Sequence, residues 1–259
     1  MRENPVKSAL TQGRAVVGVS LNVAPYPVLV RVMANAGYDF VFLDLEHNFV
    51  APNTLLDSVQ MARACNISPF VRTGDVEYHL IANTLDSGAD GLIVPRVETR
   101  AQVERLVSYA KFPPHGARGC GTIAPLDFRR EDWGAALPWV NSQTMIVPMI
   151  ESHEGIDALE DMLGVPGVDA ILVGPLDLSI RLGLPGKLNA PEVHAAVDRV
   201  VQICRRHNVP SGILARTPEA LRTWWDKGMR FLVCDTLLDM VMRTATQNVQ
   251  AVRAYAGPR

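Results

Sequence analysis

No apolar run in the chain approaches the roughly 20 residues needed to cross a bilayer as a helix, so a membrane-spanning segment is not expected. A secretory leader is not expected either, because Met1 to Gly13 is polar and charged and has no hydrophobic stretch. An excess of one charge is also missing. The 25 Lys and Arg against 27 Asp and Glu leave a net charge of −2, which gives no general pull towards nucleic acid or an anionic membrane. Cysteine is scarce, and Cys65, Cys120, Cys204 and Cys234 show neither CxxC nor zinc-site spacing. They read as buried, reduced thiols, which makes the cytoplasm the expected location. There is no P-loop or dinucleotide fingerprint. The glycine-rich Gly116-Ala117-Arg118-Gly119-Cys120-Gly121 follows a helix and Lys-Phe-Pro-Pro rather than a strand, and reads as a lid or mouth loop.

What the chain does have is alternation. Eight short apolar runs read as strands: 15–21, 40–47, 68–72, 91–95, 144–151, 168–174, 209–214 and 231–235. Helical spacing fills the gaps between them. The strands are continuous rather than alternating in polarity, as expected when a parallel sheet is buried on both faces. The length of 259 residues suits one (β/α)₈ barrel, which takes roughly 250, and no linker or composition shift marks a second domain. The expected fold is therefore an α/β TIM barrel spanning 1–259. A short helix over 5–12 precedes it and an apolar-striped helix over 237–255 ends it. Residues 113–139 are expected to form a long loop, of the kind that is often functional. His79, His115, His153, His194 and His207 fall on helix or loop positions facing solvent, and Trp224-Trp225 reads as packing.

Right-handed crossovers put the C-terminal ends of all barrel strands at one mouth, where barrel enzymes do their chemistry. Strand two delivers Asp44, Glu46 and His47 there, strand three Arg72, strand five Glu151, and the turn after strand six Asp177. Glu151 and Asp177 form a pair of oxygen donors suited to a hard divalent ion, with coordination positions left for water and substrate. Taken singly, each could instead be a carboxylate bonded to a loop. His47 is the natural general base. Asp86, near a helix end, is a candidate to orient it. Arg72 ends an apolar strand and needs a partner: either an anionic substrate or oxyanion, or an ion pair with Asp44 or Glu46. The backbone of Gly174-Pro175-Leu176-Asp177 is placed to hold a substrate carboxylate.

These residues resemble the HpcH/HpaI aldolases, metal-dependent class II pyruvate aldolases of the phosphoenolpyruvate/pyruvate barrel superfamily. The matching pieces are Gly37 to His47, Val71-Arg72, Leu85 to Ala89 with Ile93-Val94-Pro95, Tyr109 to Gly121, Ile150-Glu151-Ser152 and Gly174 to Ser179. The resemblance runs through nearly the whole chain. It implies reversible aldol cleavage of a 4-hydroxy-2-oxo acid to pyruvate and an aldehyde, through a metal-bound enolate. Glu151 and Asp177 would hold Mg²⁺, Mn²⁺ or Co²⁺. His47, paired with Asp86, would be the base, Arg72 would sit on the enolate oxygen, and Asp44 and Glu46 would orient metal-bound water and neighbouring groups. It further implies a homohexamer built as a trimer of dimers, with the last helix exchanged between partners. The other readings are a Claisen-type lyase or synthase using a CoA thioester or making citrate, an oxaloacetate decarboxylase, and a barrel that only binds an oxo acid. Met149, Leu176 and Asn48-Phe49-Val50 depart from the family pattern around the acceptor pocket.

Overall fold

A computed structural model describes residues 2–121, 124–129 and 131–257. Thr122, Ile123 and Arg130 of the expected mouth loop, and positions 1, 258 and 259, lie outside the described residues. Eight strands, β1 (Val16–Leu21), β2 (Phe40–Asp44), β3 (Ser68–Arg72), β4 (Gly91–Val94), β5 (Met145–Ile150), β6 (Ile171–Val173), β7 (Ser211–Ala215) and β8 (Phe231–Thr236), run parallel in sequence order. Pairing of β1 with β8 closes the barrel. Every residue of β2, β4, β5 and β6 is buried, which is why these segments read as unbroken apolar runs.

Aromatic rings fill the interior. Phe40 stacks on Phe231 at 4.5 Å between centroids, and Phe70 meets both edge-on at 5.3 and 5.4 Å. Gly18 on β1 makes room for them, since a Cβ there would lie 2.2 Å from the Phe40 ring. Gly18→Ala is expected to lower stability by about 1–3 kcal/mol through overpacking, measured as a reduced denaturation midpoint with unchanged m-value. The helix α1 (Pro5–Thr11) adds Val6, Ala9 and Leu10 to the same cluster and so plugs one end of the barrel. The side chain of Asn4 caps this helix by accepting from the Lys7 N–H at 3.0 Å.

Helices α2 (Pro27–Ala36), α3 (Pro52–Ala64), α4 (Tyr78–Asp86), α5 (Arg100–Ala110), α6 (Trp133–Gln143), α7 (His153–Asp157), α8 (Leu159–Leu163), α9 (Pro175–Arg181), α10 (Pro191–Arg206) and α11 (Pro218–Asp226) follow in order, and α12 (Leu237–Ala256) ends the described chain. The helices differ from the sequence expectation in three places. Part of the expected 113–139 loop is helix α6, capped by Asp132, and Pro138 inside it hid the helical pattern. The segment after β6 is helix α9, for which Pro175 supplies the first turn. The helical spacing between the fifth and sixth strands is met by two short helices meeting at Ala158.

The four cysteines are free thiols as expected, but only Cys204 is buried and Cys120 is exposed. Of α12 only Leu237 is buried, and Leu238, Val241, Met242, Val249, Val252 and Tyr255 face outwards. Among the described residues no helix is long and apolar enough to cross a membrane.

Candidate active site

The parallel register of β2 and β3 sets Asp44 beside Arg72. Their side chains form a bidentate pair, with Arg72 Nε donating to Asp44 Oδ1 at 2.8 Å and Nη2 to Oδ2 at 2.6 Å. Asp44 is fully buried, and its Oδ1 also accepts from the Glu46 N–H at 3.0 Å. Phe42, two residues earlier on the same face, lies under the guanidinium at 5.2 Å, a cation–π contact. Arg72 Nη1 reaches Glu46 Oε2 at 3.2 Å. Two of the five guanidinium N–H groups are thus hydrogen-bonded, both to Asp44, and Nη1 carries the ion pair with Glu46. Burial alone would lower the Arg72 pKa, but the bonds to Asp44 and the charges of Glu46 and Glu151 raise it. Of the two partners left open by sequence, the ion pair is formed, and the residue still lines the cavity.

Glu46 is held by arginines on two sides, Arg72 and Arg96, the latter with Nε at 3.5 Å. Burial pushes its carboxyl pKa up, against the pull of Arg72, His47 and Arg96. Asp44 and Glu46 thus hold neighbouring arginines, Asp44 through two bonds to Arg72 and Glu46 through ion pairs with Arg72 and Arg96. His47 is largely exposed, with Nε2 3.7 Å from Glu46 Oε2.

Glu151 follows the last residue of β5 and is buried. Its Oε2 accepts from the Arg96 N–H at 3.0 Å. Arg96 has φ of +53°, a left-handed conformation uncommon for a residue with a side chain, and it aims that N–H at the carboxylate. Arg96 Nη2 also donates to the Gly74 carbonyl at 2.7 Å. Burial, with Asp177 and Glu46 adding to it against the Arg96 bond and Arg72, raises the Glu151 pKa to about 7. Across from it, a Cβ at Gly174 would stand 2.4 Å from Glu151 Oε1. Gly174→Ala should therefore displace the carboxylate and cut turnover by at least about 100-fold, on the scale of a misplaced catalytic group; steady-state kinetics with a matched circular dichroism spectrum would check it. Asp177 lies in the first turn of α9.

Two cavities meet at these residues, and His47, Glu151 and Asp177 line both. One, of about 460 Å³, runs towards β7, β8 and β1 past Ser20, Asn22, Leu214 and Thr236, with Met149 and Leu176 in its wall. The other, of about 430 Å³, is charged, with Glu46, Arg96, Glu98 and Arg181. A larger cavity of about 620 Å³ lies away from the mouth. Its lysines are already satisfied: Lys7 pairs with Asp169 at 2.8 Å, and Lys111 donates to the carbonyls of Asn141 and Thr144 at 2.7 and 2.6 Å.

Asp86 is not brought to His47 within the chain. It is the last residue of α4, which returns against the strand direction, so it lies near the start of β4 rather than at the mouth. Its Oδ1 accepts from Arg118 Nη2 at 2.6 Å. A His47–Asp86 pair would have to form between subunits. Arg96 and Arg216 were missed by the sequence reading. Their signal was a charged residue directly after a strand, Arg96 behind Pro95 and Arg216 behind Ala215.

Among the described residues no cluster of three or more His, Cys, Asp and Glu could hold a metal by itself. Glu151 and Asp177 nevertheless fit a hard divalent ion that takes its remaining oxygens from water and substrate. The missing Cβ at Gly174 leaves space beside Glu151, and the Asp177 charge adds to the burial that makes ionising Glu151 costly.

A closed parallel barrel with an acid, imidazole and guanidinium site at its C-terminal mouth defines a barrel enzyme. The family profile described as HpcH/HpaI aldolase/citrate lyase matches residues 23–234, and the chain belongs to that family. It is similar to a hydroxypyruvate/pyruvate aldolase of Delftia acidovorans, 34% identical over 97% of this chain and 93% of that protein. It is 31% identical to a 2-keto-3-deoxy-L-rhamnonate aldolase of Escherichia coli, over 91% and 88% of the two chains. The crystal structure of an HpcH/HpaI aldolase from Desulfitobacterium hafniense superposes with a TM-score of 0.94 at 29% identity, covering 97% of this chain and 98% of that one. The protein is a carbon–carbon lyase of the class II aldolase type, a family that generally depends on a divalent metal.

Proposed function

We propose that the chain, one barrel domain over its whole length, cleaves 4-hydroxy-2-oxo acids to pyruvate and an aldehyde, and runs the reverse condensation. The observation that carries this is the convergence of His47, Arg72, Glu151 and Asp177 on one cavity. Glu151 and Asp177 hold the divalent ion (Mg²⁺, Mn²⁺ or Co²⁺), which when bound supplies Lewis-acid polarisation of the 2-oxo acid. The substrate carboxylate faces the Gly174 to Asp177 backbone. His47, reachable from both cavities, takes the proton from the C4 hydroxyl; the C3–C4 bond breaks, the aldehyde leaves, and a proton returns to C3. Arg72 directs N–H groups that Asp44 leaves free at the enolate oxygen as charge develops there. The guanidinium is held in place beforehand by Asp44 and Phe42, which is how an electrostatic stabiliser avoids reorganisation cost.

The outward apolar face of α12 supports assembly with further copies of the chain, which we propose to be a hexamer of exchanged dimers. Four free thiols fit a reducing compartment such as the cytoplasm.

The test is retro-aldol cleavage of a panel of 4-hydroxy-2-oxo acids, coupled to pyruvate detection, with metals varied. Activity should vanish in excess chelator and return with added divalent ion. His47→Ala should lose about 10²–10⁴-fold in kcat, the range of general acid–base catalysis, while metal binding survives. Wild-type turnover in that variant, or full activity in chelator, would refute the assignment.

A further inference from the structure

We propose that a cavity beside the active site, between β7, α10 and α11, is the subsite for the non-reacting end of the acceptor aldehyde, and that it takes an unbranched aliphatic chain. The proposal rests on the aldolase reading above and names the acceptor class of that site. The cavity holds about 330 Å³ and is walled by Val193, Val197, Ile213, Ala220 and Trp224. At about 460 and 330 Å³, it and the active-site cavity each fall within the roughly 300–1,000 Å³ of small-molecule sites. Pro175, Leu188, Leu214, Ala215 and Arg216 line both, so the two adjoin along one rim.

The position of this rim suits an acceptor. Glu151 and Asp177 stand after β5 and β6, and the active-site cavity extends from them towards β7, β8 and β1. An aldehyde whose carbonyl meets the C3 carbon of pyruvate there has its chain directed along that extension. The wall it passes is apolar, with Val23, Met149, Leu176, Leu188 and Leu214. At the rim, the charge of Arg216 is answered by Asp239, with Nε 3.3 Å from Oδ2. No unpaired cation therefore waits for an anionic tail. Deeper in, the His194 ring lies tilted on Trp224 at 5.0 Å, and the Thr217 hydroxyl is used in capping α11. Asn189 and His194 are the polar side chains left in the lining, and the rest of the wall between α10, α11 and β7 is mainly hydrocarbon.

Burial of each methylene group is worth about fourfold in an equilibrium or specificity constant. With the metal-loaded enzyme and pyruvate, kcat/KM for hexanal should exceed that for propanal by about tenfold or more. Ala220 is an exposed position of α11 that lines the cavity outside the barrel core, and Ala220→Leu should bring the hexanal-to-propanal ratio close to one, chiefly through the KM for hexanal. Leu188→Phe, which narrows the rim, should lower the same ratio. The second variant keeps the test intact if the first does not fold, as judged by its thermal midpoint. Turnover with no chain-length preference, or a wild-type ratio retained in both folded variants, overturns the subsite alone. Preference for 4-oxobutanoate over butanal overturns it in favour of an anionic tail held by Arg216. Absence of turnover with every aldehyde overturns both the subsite and the aldolase reading.

Discussion

Arg72→Ala is expected to lower kcat/KM for aldol cleavage by at least about 10³-fold, the scale on which loss of an oxyanion-stabilising donor is felt. The reason lies in how the guanidinium is held. Two of its bonds fix it to Asp44, a third contact fixes it to Glu46, and the Phe42 ring supports its face. Under the proposed mechanism, removing it takes away the cation at the developing enolate. It also strands Asp44, which is 1% exposed, with no counter-charge. Breaking a buried pair from one side costs about 3–5 kcal/mol, so the alanine variant should also unfold at lower denaturant. Arg72→Lys separates the two effects. It keeps the charge beside Asp44 and loses the planar fork, so most of the stability should return while most of the activity does not. Metal affinity, measured by calorimetry, should survive in both variants, because neither touches Glu151 or Asp177. Near-wild-type turnover in Arg72→Lys would reduce Arg72 to a structural cation.

Much of this arrangement was legible before the fold was seen. Eight apolar runs with helical spacing between them define a closed barrel, and a barrel sends each strand's last residues to one mouth. That alone brings Asp44, Glu46, His47, Arg72, Glu151 and Asp177 together. What could not be read were properties of conformation and packing. The left-handed backbone at Arg96 leaves no mark in sequence, since arginine is not one of the residue types that signal that conformation. The clash that Gly174 avoids depends on a side chain 23 positions away. Pro138 suppressed the helical signal of α6, although the N-cap Asp132 was there to be noticed. The pairing of His47 with Asp86 was suggested by the residues and implied by the family resemblance, and the chain's own geometry sets the two at different ends of the barrel. The second cavity behind Leu188 is assembled from α10, α11 and β7, and no single motif announces it.

Glu151→Gln should abolish productive metal binding and turnover together, and its pH behaviour distinguishes a ligand from a merely buried acid. In the metal-free protein the Glu151 pKa is raised to about 7, because burial and the nearby Asp177 and Glu46 disfavour its charge. A divalent ion needs the carboxylate, so below about pH 7 binding must expel a proton. The apparent Kd of the wild type should therefore worsen by up to about tenfold per pH unit as pH falls from 7 towards 5. Stability of the metal-free chain moves the other way. A carboxyl pKa higher in the folded than in the unfolded state means that the folded state binds more protons between about pH 4.5 and 7. The contribution is complete below the unfolded value of 4.5 and is lost as pH rises through about 7. It is worth up to about 3 kcal/mol. Relative to Glu151→Gln, which cannot titrate, the metal-free wild type should lose stability across that window, and saturating metal should reverse the loss. Denaturant unfolding at pH 5 and pH 8, with and without metal, reads all of this at once. Parallel stability profiles for the two proteins would mean that Glu151 is ionised throughout, and a pH-independent metal affinity would remove it from the ligand set.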